Sequence, residues 1–116
     1  MVPTVASTPD GIMSSIKLRS KRQGDWTLIR LLIEHPMETG RRRDEATGAL
    51  VPAHFITEVR VEHNGQPRIQ GLLTTGVSRN PYLSFRLKDV RPGDRVRVVW
   101  TDNQGRQDSA ETRIGD

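Results

Sequence analysis

The sequence predicts an all-β domain, an antiparallel β-sandwich of about seven short strands. Apolar and polar residues alternate with a period of two in several stretches, which is the pattern of strands that bury one face. Residues that favour turns separate these stretches, and no stretch of comparable length has the apolar spacing of a helix. Together these observations favour two packed antiparallel sheets.

Each predicted strand rests on its own alternation. In the first clear stretch, Ile29, Leu31 and Ile33 would face the core, and Arg30 and Glu34 would face solvent. The later stretches place three inward sets, which are Phe55, Val59 and Val61, then Leu83, Phe85 and Leu87, then Val96, Val98 and Trp100. Turns are predicted at Asn64-Gly65, Pro92-Gly93 and residues 102–105.

The strand around residue 30 is apolar on both sides, which an isolated two-layer domain does not need. Trp26, Leu28 and Leu32 lie on the side opposite the predicted core residues. Either a partner covers this outer side, or the tail or a strand near Ile16 and Leu18 covers it within the same chain. The sequence leaves both explanations open.

Length and composition limit the class of protein. The 116 residues suffice for one domain, which we expect over residues 14–116 after a loose tail at residues 1–13. No run approaches the roughly 20 apolar residues of a membrane helix, and the N-terminus lacks the apolar segment of a secretory signal. The chain has no cysteine, which excludes disulfides, thiolate metal sites and sulfur carried on a thiol of this chain.

The stretch IEHPMETGRRRDEATGALVP, residues 33–52, joins two predicted strands and carries balanced charge. Between Glu38 and Glu45, three arginines stand against three acidic residues, and the charges sum to zero. A phosphate site needs uncompensated positive charge, so internal ion pairs or a polar protein contact are the better interpretations.

His35 stands at the end of a strand, before a proline. The other two histidines, His54 and His63, belong to another strand region, and the three show no metal-binding spacing. We therefore favour a structural or hydrogen-bonding role for His35 over metal binding or acid–base chemistry.

Five motifs, which together span nearly the whole domain, resemble one family. They are HPMETG at residues 35–40, RxDxxTGxxVP at 42–52, HNG at 63–65, NPYLSF at 80–85 and VVWTDNQG at 98–105. In this order and spacing they resemble the Z subunit of the Sox sulfur-carrier complex, a thiosulfate-oxidation protein.

The resemblance implies an immunoglobulin-like β-sandwich without catalytic residues, metal or cofactor. It implies a heterodimer with a SoxY-type subunit, whose C-terminal arm holds the sulfur-bearing cysteine, and transient contact with other Sox enzymes. It also implies a periplasmic location, reached on the export signal of the partner. Whether the chain forms a homodimer when alone stays open.

On this resemblance, residues 36–43 are predicted to dock the partner or the enzymes that visit its arm. Met37 would supply an apolar contact, and Glu38, Arg41 and Arg43 would form a polar rim. Tyr82 in the NPYLSF motif is a further predicted partner-binding residue. A core position for Met37 and a turn role for the segment before Tyr82 stay as alternatives.

A basic outer face is predicted from the late strands. If residues 82–89 and 94–101 pair as a hairpin, four basic side chains project from one face, and they are Arg86, Lys88, Arg95 and Arg97. Such a face would steer an acidic partner or sulfur anions such as thiosulfate, unless it is only solvated.

Two rival classes of protein are weaker. A nucleic-acid-binding β domain fits the formal net charge of +4, but most of the few aromatic residues are predicted to be core, which leaves no platform for stacked bases. An enzyme would show a nucleophile motif, a phosphate-binding glycine loop or paired carboxylates, and the sequence shows none of these.

Overall fold

The computed structural model describes residues 14–115, so the predicted tail at residues 1–13 lies outside the described residues. Over residues 14–115 the chain forms strands and no helix, and hence has no helix that could cross a membrane. The strands are β1 (Ile16–Gln23), β2 (Trp26–Ile33), β3 (Ile56–His63), β4 (Gln66–Leu72), β5 (Tyr82–Lys88), β6 (Arg95–Asp102) and β7 (Gln107–Arg113).

The seven strands form two antiparallel sheets. The first sheet has three strands in the order β1-β2-β5, and the second has four in the order β4-β3-β6-β7. Side chains from both sheets make up one buried cluster. The prediction of an all-β, immunoglobulin-like sandwich of about seven strands is confirmed.

The predicted alternation sets the core. Ile29, Leu31 and Ile33 of β2 and Val96 and Val98 of β6 are each at most 1% exposed. Full burial of an aliphatic side chain of this size contributes about 1.5–3 kcal/mol. In β3 the pattern differs, because a register shift between Ile56 and Glu58 places Ile56 in the core and leaves Phe55 only partly buried beside it. The shift is an irregularity in the pairing with β6.

The β3–β4 turn has the predicted geometry. Asn64 and Gly65 both adopt positive φ angles, of 50° and 83°, which a two-residue hairpin turn of this type requires. Asn64 also accepts a hydrogen bond on its side-chain oxygen from the backbone N–H of Arg95, at 2.8 Å. The turn is therefore tied to the neighbouring strand β6.

The predicted hairpin between residues 82–89 and 94–101 is wrong. Strand β5 pairs with β2 in the first sheet, and β6 pairs with β3 and β7 in the second, so the chain crosses between the sheets at residues 89–94. Val90, which is 6% exposed, packs into the core along this crossing. The alternation showed which face of each strand is buried, but it did not show which strand is the neighbour.

The predicted basic outer face is wrong for the same reason. Arg86 and Lys88 project from the outer side of the first sheet, whereas Arg95 and Arg97 project from the outer side of the second. The four residues therefore lie on opposite sides of the sandwich. On the second sheet Arg97 pairs with Glu62 at 3.3 Å.

Candidate functional site

The long connection between β2 and β3, residues 34–55, folds as an arm against the end of the sandwich. Glu38 and His54 pair as an isolated antiparallel bridge through two backbone hydrogen bonds of 2.7 and 3.0 Å. Farther out, Arg43 and Leu50 form a second bridge. The outgoing and returning halves of the arm therefore run side by side, and the tip of the arm is exposed to solvent.

Three side chains converge where the arm meets the sandwich. The Asp102 Oδ2 atom, at the end of β6, lies 3.0 Å from His35 Nε2 and 2.8 Å from His54 Nε2. The other oxygen, Oδ1, accepts the backbone N–H groups of Gln104 and Arg106. The Asp102 side chain has no solvent exposure, and all its hydrogen bonds come from within the chain. We name His35, Asp102 and His54 the His–Asp–His cluster.

The backbone fixes which nitrogen of His35 carries the proton. The N–H of Met37 donates to His35 Nδ1 at 3.1 Å, so Nδ1 must be unprotonated and Nε2–H donates to Asp102. Burial lowers the pKa of His35 and outweighs the hydrogen bond from Nε2–H to Asp102, which raises it. The ring is therefore neutral at pH 7, with its only free lone pair already used by the backbone.

Hydrogen bonds hold Asp102 in its ionised form. Burial alone would raise the pKa of this carboxyl group, but the hydrogen bonds from His35, from the N–H of Arg106 and from His54 outweigh it, and the pKa lies below its usual range. The cluster is thus a buried carboxylate that accepts from two imidazoles. Charge-assisted hydrogen bonds of this kind contribute about 1.5–3 kcal/mol each.

The three ligand atoms of the cluster lie within 4.8 Å of one another, a distance compatible with a metal ion. The tautomer of His35 opposes this use, because a metal ligand must present an unprotonated nitrogen. His35 Nε2 could do so only if the bond from the Met37 N–H to Nδ1 were given up. The geometry therefore supports the predicted hydrogen-bonding role of His35.

Met37 does not provide surface to a partner, so its predicted apolar contact is wrong. Its side chain is 5% exposed and belongs to the core, where the sulfur accepts the backbone N–H of Ile56 at 3.3 Å. A positive φ of 50° turns the chain at this residue, and residues other than Gly, Asn and Asp rarely adopt such an angle. The turn sends the side chain inward, in line with the core alternative.

The predicted polar rim of the arm is only partly available. Glu38 binds Arg42, with its Oε2 atom 2.6 Å from Nη2, and this hydrogen bond lowers the pKa of Glu38. Arg43 donates to the carbonyl of Gly48 at 2.9 Å within the arm. The guanidinium of Arg41 makes no ion pair or hydrogen bond with residues 14–115 and is exposed. The partner-binding roles of Glu38, Arg41 and Arg43 stay predictions.

Tyr82 lies elsewhere, on the outer side of the first sheet. The outward residues form four rows across β1, β2 and β5, and we name this surface the β1–β2–β5 face. The rows are Lys17, Leu32 and Tyr82, then Arg19, Arg30 and Ser84, then Lys21, Leu28 and Arg86, then Gln23, Trp26 and Lys88. Tyr82 is 62% exposed and Trp26 is 40% exposed.

The strand near Ile16 does not cover this face. Strand β1 pairs edge to edge with β2, and Ile16 and Leu18 point into the core. The apolar outer side of β2 thus stays uncovered among residues 14–115, and a depression of about 520 Å³ lies over it, lined in part by Leu28, Leu32 and Tyr82. The sequence offered a partner, the tail or a strand near Ile16 and Leu18 as the cover of this face. The covering strand is wrong, whereas a partner and the tail, which lies outside the described residues, both stay as explanations.

These features define a small β-sandwich with a buried His–Asp–His cluster closed by internal hydrogen bonds and one outer sheet face uncovered among residues 14–115. The family model for the sulphur oxidation protein SoxZ matches residues 16–113, from the first strand to the end of the last. The chain belongs to the SoxZ family and is a subunit of the Sox sulfur-oxidation system. No similar protein was found among curated proteins.

Sequence reasoning missed the His–Asp–His cluster. His54 and Asp102 lie 48 residues apart, and His35 and Asp102 lie 67 apart, so no local spacing reveals their contact. The one available signal was that all three belong to stretches rich in turn residues at the ends of predicted strands, where loops from one end of a sandwich gather.

Proposed function

We propose that the chain is a non-catalytic subunit that binds a SoxY-type partner and presents its cysteine-bearing C-terminal arm to other Sox enzymes during thiosulfate oxidation. The observation that carries this proposal is the family match over the entire sandwich, residues 16–113. The match includes both sheets and the arm, so it concerns the whole described domain.

The chemistry of the chain supports a binding role. The sequence contains no cysteine, so a covalently held sulfur atom needs a thiol on another chain. The buried histidine of the cluster is a neutral donor whose accepting nitrogen is occupied, which does not suit a general base. A partner that supplies the thiol accounts for the first fact, and a role without acid–base chemistry fits the second.

We also propose that the pair acts in the periplasm and travels there on the export signal of the partner. Cell fractionation tests this part directly. The chain should appear in the periplasmic fraction of wild-type cells and stay in the cytoplasm when the signal of the partner is deleted. A cytoplasmic chain in wild-type cells would contradict this location and leave partner binding to be judged separately.

Native mass spectrometry of the untagged chain, purified from its source organism, tests the main proposal. We expect a complex of one copy of this chain with one companion, whose cysteine near the C-terminus is alkylated by iodoacetamide after reduction. A chain that appears alone, or only with further copies of itself, would overturn the proposal. Mixing purified chain with purified SoxY-type subunit in a calorimeter then gives the affinity.

A further inference from the structure

We infer that the β1–β2–β5 face is the docking surface for the proposed partner, and that the matching surface of the partner combines apolar contact residues with acidic residues. This inference rests on the proposed function, because it assigns a place to the partner that the function requires. On this inference the arm, where the sequence placed the interface, is not the main docking surface.

The charge of the face is of one sign. Its twelve positions hold six basic residues and no acidic residue, and the six are Lys17, Arg19, Lys21, Arg30, Arg86 and Lys88. None of the six pairs with a carboxylate of residues 14–115. The face therefore carries a strong positive electrostatic potential, which attracts an anionic partner.

The outer side of the second sheet differs in this respect. There Arg97 contacts Glu62 at 3.3 Å and faces Glu111 across the neighbouring strand. Arg60 and Glu58 lie 3.8 Å apart on the same side. The mixed signs of that surface are typical of a solvated sheet, and they make the uniform charge of the β1–β2–β5 face a particular property of one side.

Some of the positive charges are opposed to one another. Arg19 of β1 lies directly across from Arg30 of β2, and like charges in such a cross-strand pair destabilise the sheet. In the next row Lys21 and Arg86 flank Leu28 from both sides. An approaching carboxylate would relieve this repulsion, so the face is better matched to an acidic partner than to water alone.

The apolar residues supply the contact area. Leu28 and Leu32 are half-buried and lie in the middle strand, with Tyr82 beside Leu32 and Trp26 at the far end. Tyrosine, tryptophan and arginine are the residues that most often carry binding energy at protein interfaces. Apolar residues that alternate with Arg30 along the middle strand, with further basic residues on both neighbouring strands, are therefore complementary to a surface that combines apolar and acidic residues.

The arrangement is less suited to nucleic acid or to a second copy. Trp26 and Tyr82 lie at opposite ends of the face, about 20 Å apart for six residues of strand, which is too far for one stacking platform. Lys88 also covers one side of the Trp26 ring at 4.7 Å from its centre. Two copies of this face would bring twelve positive charges together, counted as six from each copy.

Affinity for the purified SoxY-type subunit, measured by calorimetry, tests the inference with one charge-reversal variant and one truncation variant. Arg30→Glu changes the centre of the face, and Tyr82→Ala shortens an exposed side chain without disturbing the core. We expect each to weaken binding at least tenfold. The matched control is Arg113→Glu, an exposed strand residue outside this face, and its affinity should stay within twofold of wild type. Circular dichroism and thermal melts confirm that each variant is folded.

The outcomes separate the inference from the function on which it rests. If the wild-type chain binds the SoxY-type subunit and neither variant changes the affinity, the inference is overturned and the proposed function stands. If the wild-type chain does not bind that subunit at all, the proposed function fails and takes the inference with it. Binding of a single-stranded oligonucleotide that Arg30→Glu abolishes, without binding of the subunit, would assign the face to nucleic acid and overturn the inference.

Acrylamide quenching of Trp26 fluorescence shows what covers the face. Trp100 is buried at 6% exposure. The fluorescence of a Trp26→Phe variant, measured alone and in the complex, gives the signal of Trp100 and of the partner, which is subtracted to leave that of Trp26. We expect Trp26 to be quenched in the free chain and protected in the complex. A Trp26 that is already protected in the full-length chain alone would mean that residues 1–13 or a second copy occupy the face, and this would overturn the inference.

Discussion

Replacement of Asp102 by asparagine should strongly destabilise the sandwich. The carboxylate accepts four hydrogen bonds, two from histidine Nε2 atoms and two from backbone N–H groups. Asparagine keeps the shape but turns one acceptor oxygen into an NH₂ group. Because the bond from the Met37 N–H fixes His35 Nε2 as a donor, either orientation of the amide sets its NH₂ group against donors, from the histidines or from the backbone.

The magnitude follows from the bonds that are lost. Two charge-assisted hydrogen bonds become neutral or repulsive, at about 1.5–3 kcal/mol each, although relaxation of the partly exposed His54 recovers part of this. We therefore expect the free energy of unfolding to fall by about 3 kcal/mol. For a domain of this size the melting temperature should drop by about 12 °C.

Urea unfolding followed by tryptophan fluorescence measures this loss. Trp100 is a local reporter, since its ring packs edge to face against His35 with centroids 5.1 Å apart. The control is Asp25→Asn in the exposed β1–β2 turn, which should change stability by less than about 0.5 kcal/mol. A loss below about 1 kcal/mol for Asp102→Asn would refute the assigned tautomer and the importance of the cluster.

Four further predictions follow from the structure. Burial lowers the pKa of His35 from 6.5, so on acidification the unfolded chain takes up a proton at this residue before the folded chain does. The contribution of neutral His35 to stability is therefore complete above pH 6.5 and is lost as the pH falls through the folded pKa, by at most about 1.4 kcal/mol per pH unit. Equal urea midpoints at about pH 7.5 and 5.5 would contradict this prediction. Zinc should not raise the melting temperature, and a rise that His54→Gln removes would show that the cluster binds metal after all. Gly65→Ala should lower the free energy of unfolding by about 1–2 kcal/mol, measured in thermal melts, because an alanine is strained at a φ of 83°. The control Gly71→Ala, at a position whose φ is not positive, should be neutral or stabilising, and equal effects of the two changes would argue against backbone strain. Met37→Ala should lower the free energy of unfolding by about 2–5 kcal/mol and leave the affinity of the folded protein for the partner unchanged. A variant that is as stable as the wild type but binds the partner more weakly would instead support the predicted contact role of Met37.

Alternation and turn chemistry predicted the strands and most of the core, because both are local properties. Ile29, Leu31 and Ile33 are buried as expected, and Asn64-Gly65 forms the expected turn. Both depend only on residues that are close in sequence, so the pattern is visible in a single chain.

Properties that depend on distant residues were not predicted. The period of two says that Phe85 and Val98 face the core, but it assigns neither to a sheet, and the expected hairpin therefore failed. The irregular pairing near Ile56 shifts the buried face by one residue without a mark in the sequence. The burial of Met37 depends on its left-handed backbone angle, which methionine rarely adopts and which propensity therefore does not predict.

One carboxylate closes both ends of the arm. His35 stands at its beginning and His54 near its end, and both bind the same oxygen of Asp102. The twenty-two residues from 34 to 55 thus form a loop whose two ends are held at the sandwich by one side chain. Because doubling the length of such a loop costs only about 0.6 kcal/mol, insertions near residues 44–49 should be tolerated. The arm is therefore a suitable place to graft a peptide tag or an optical label onto the folded subunit.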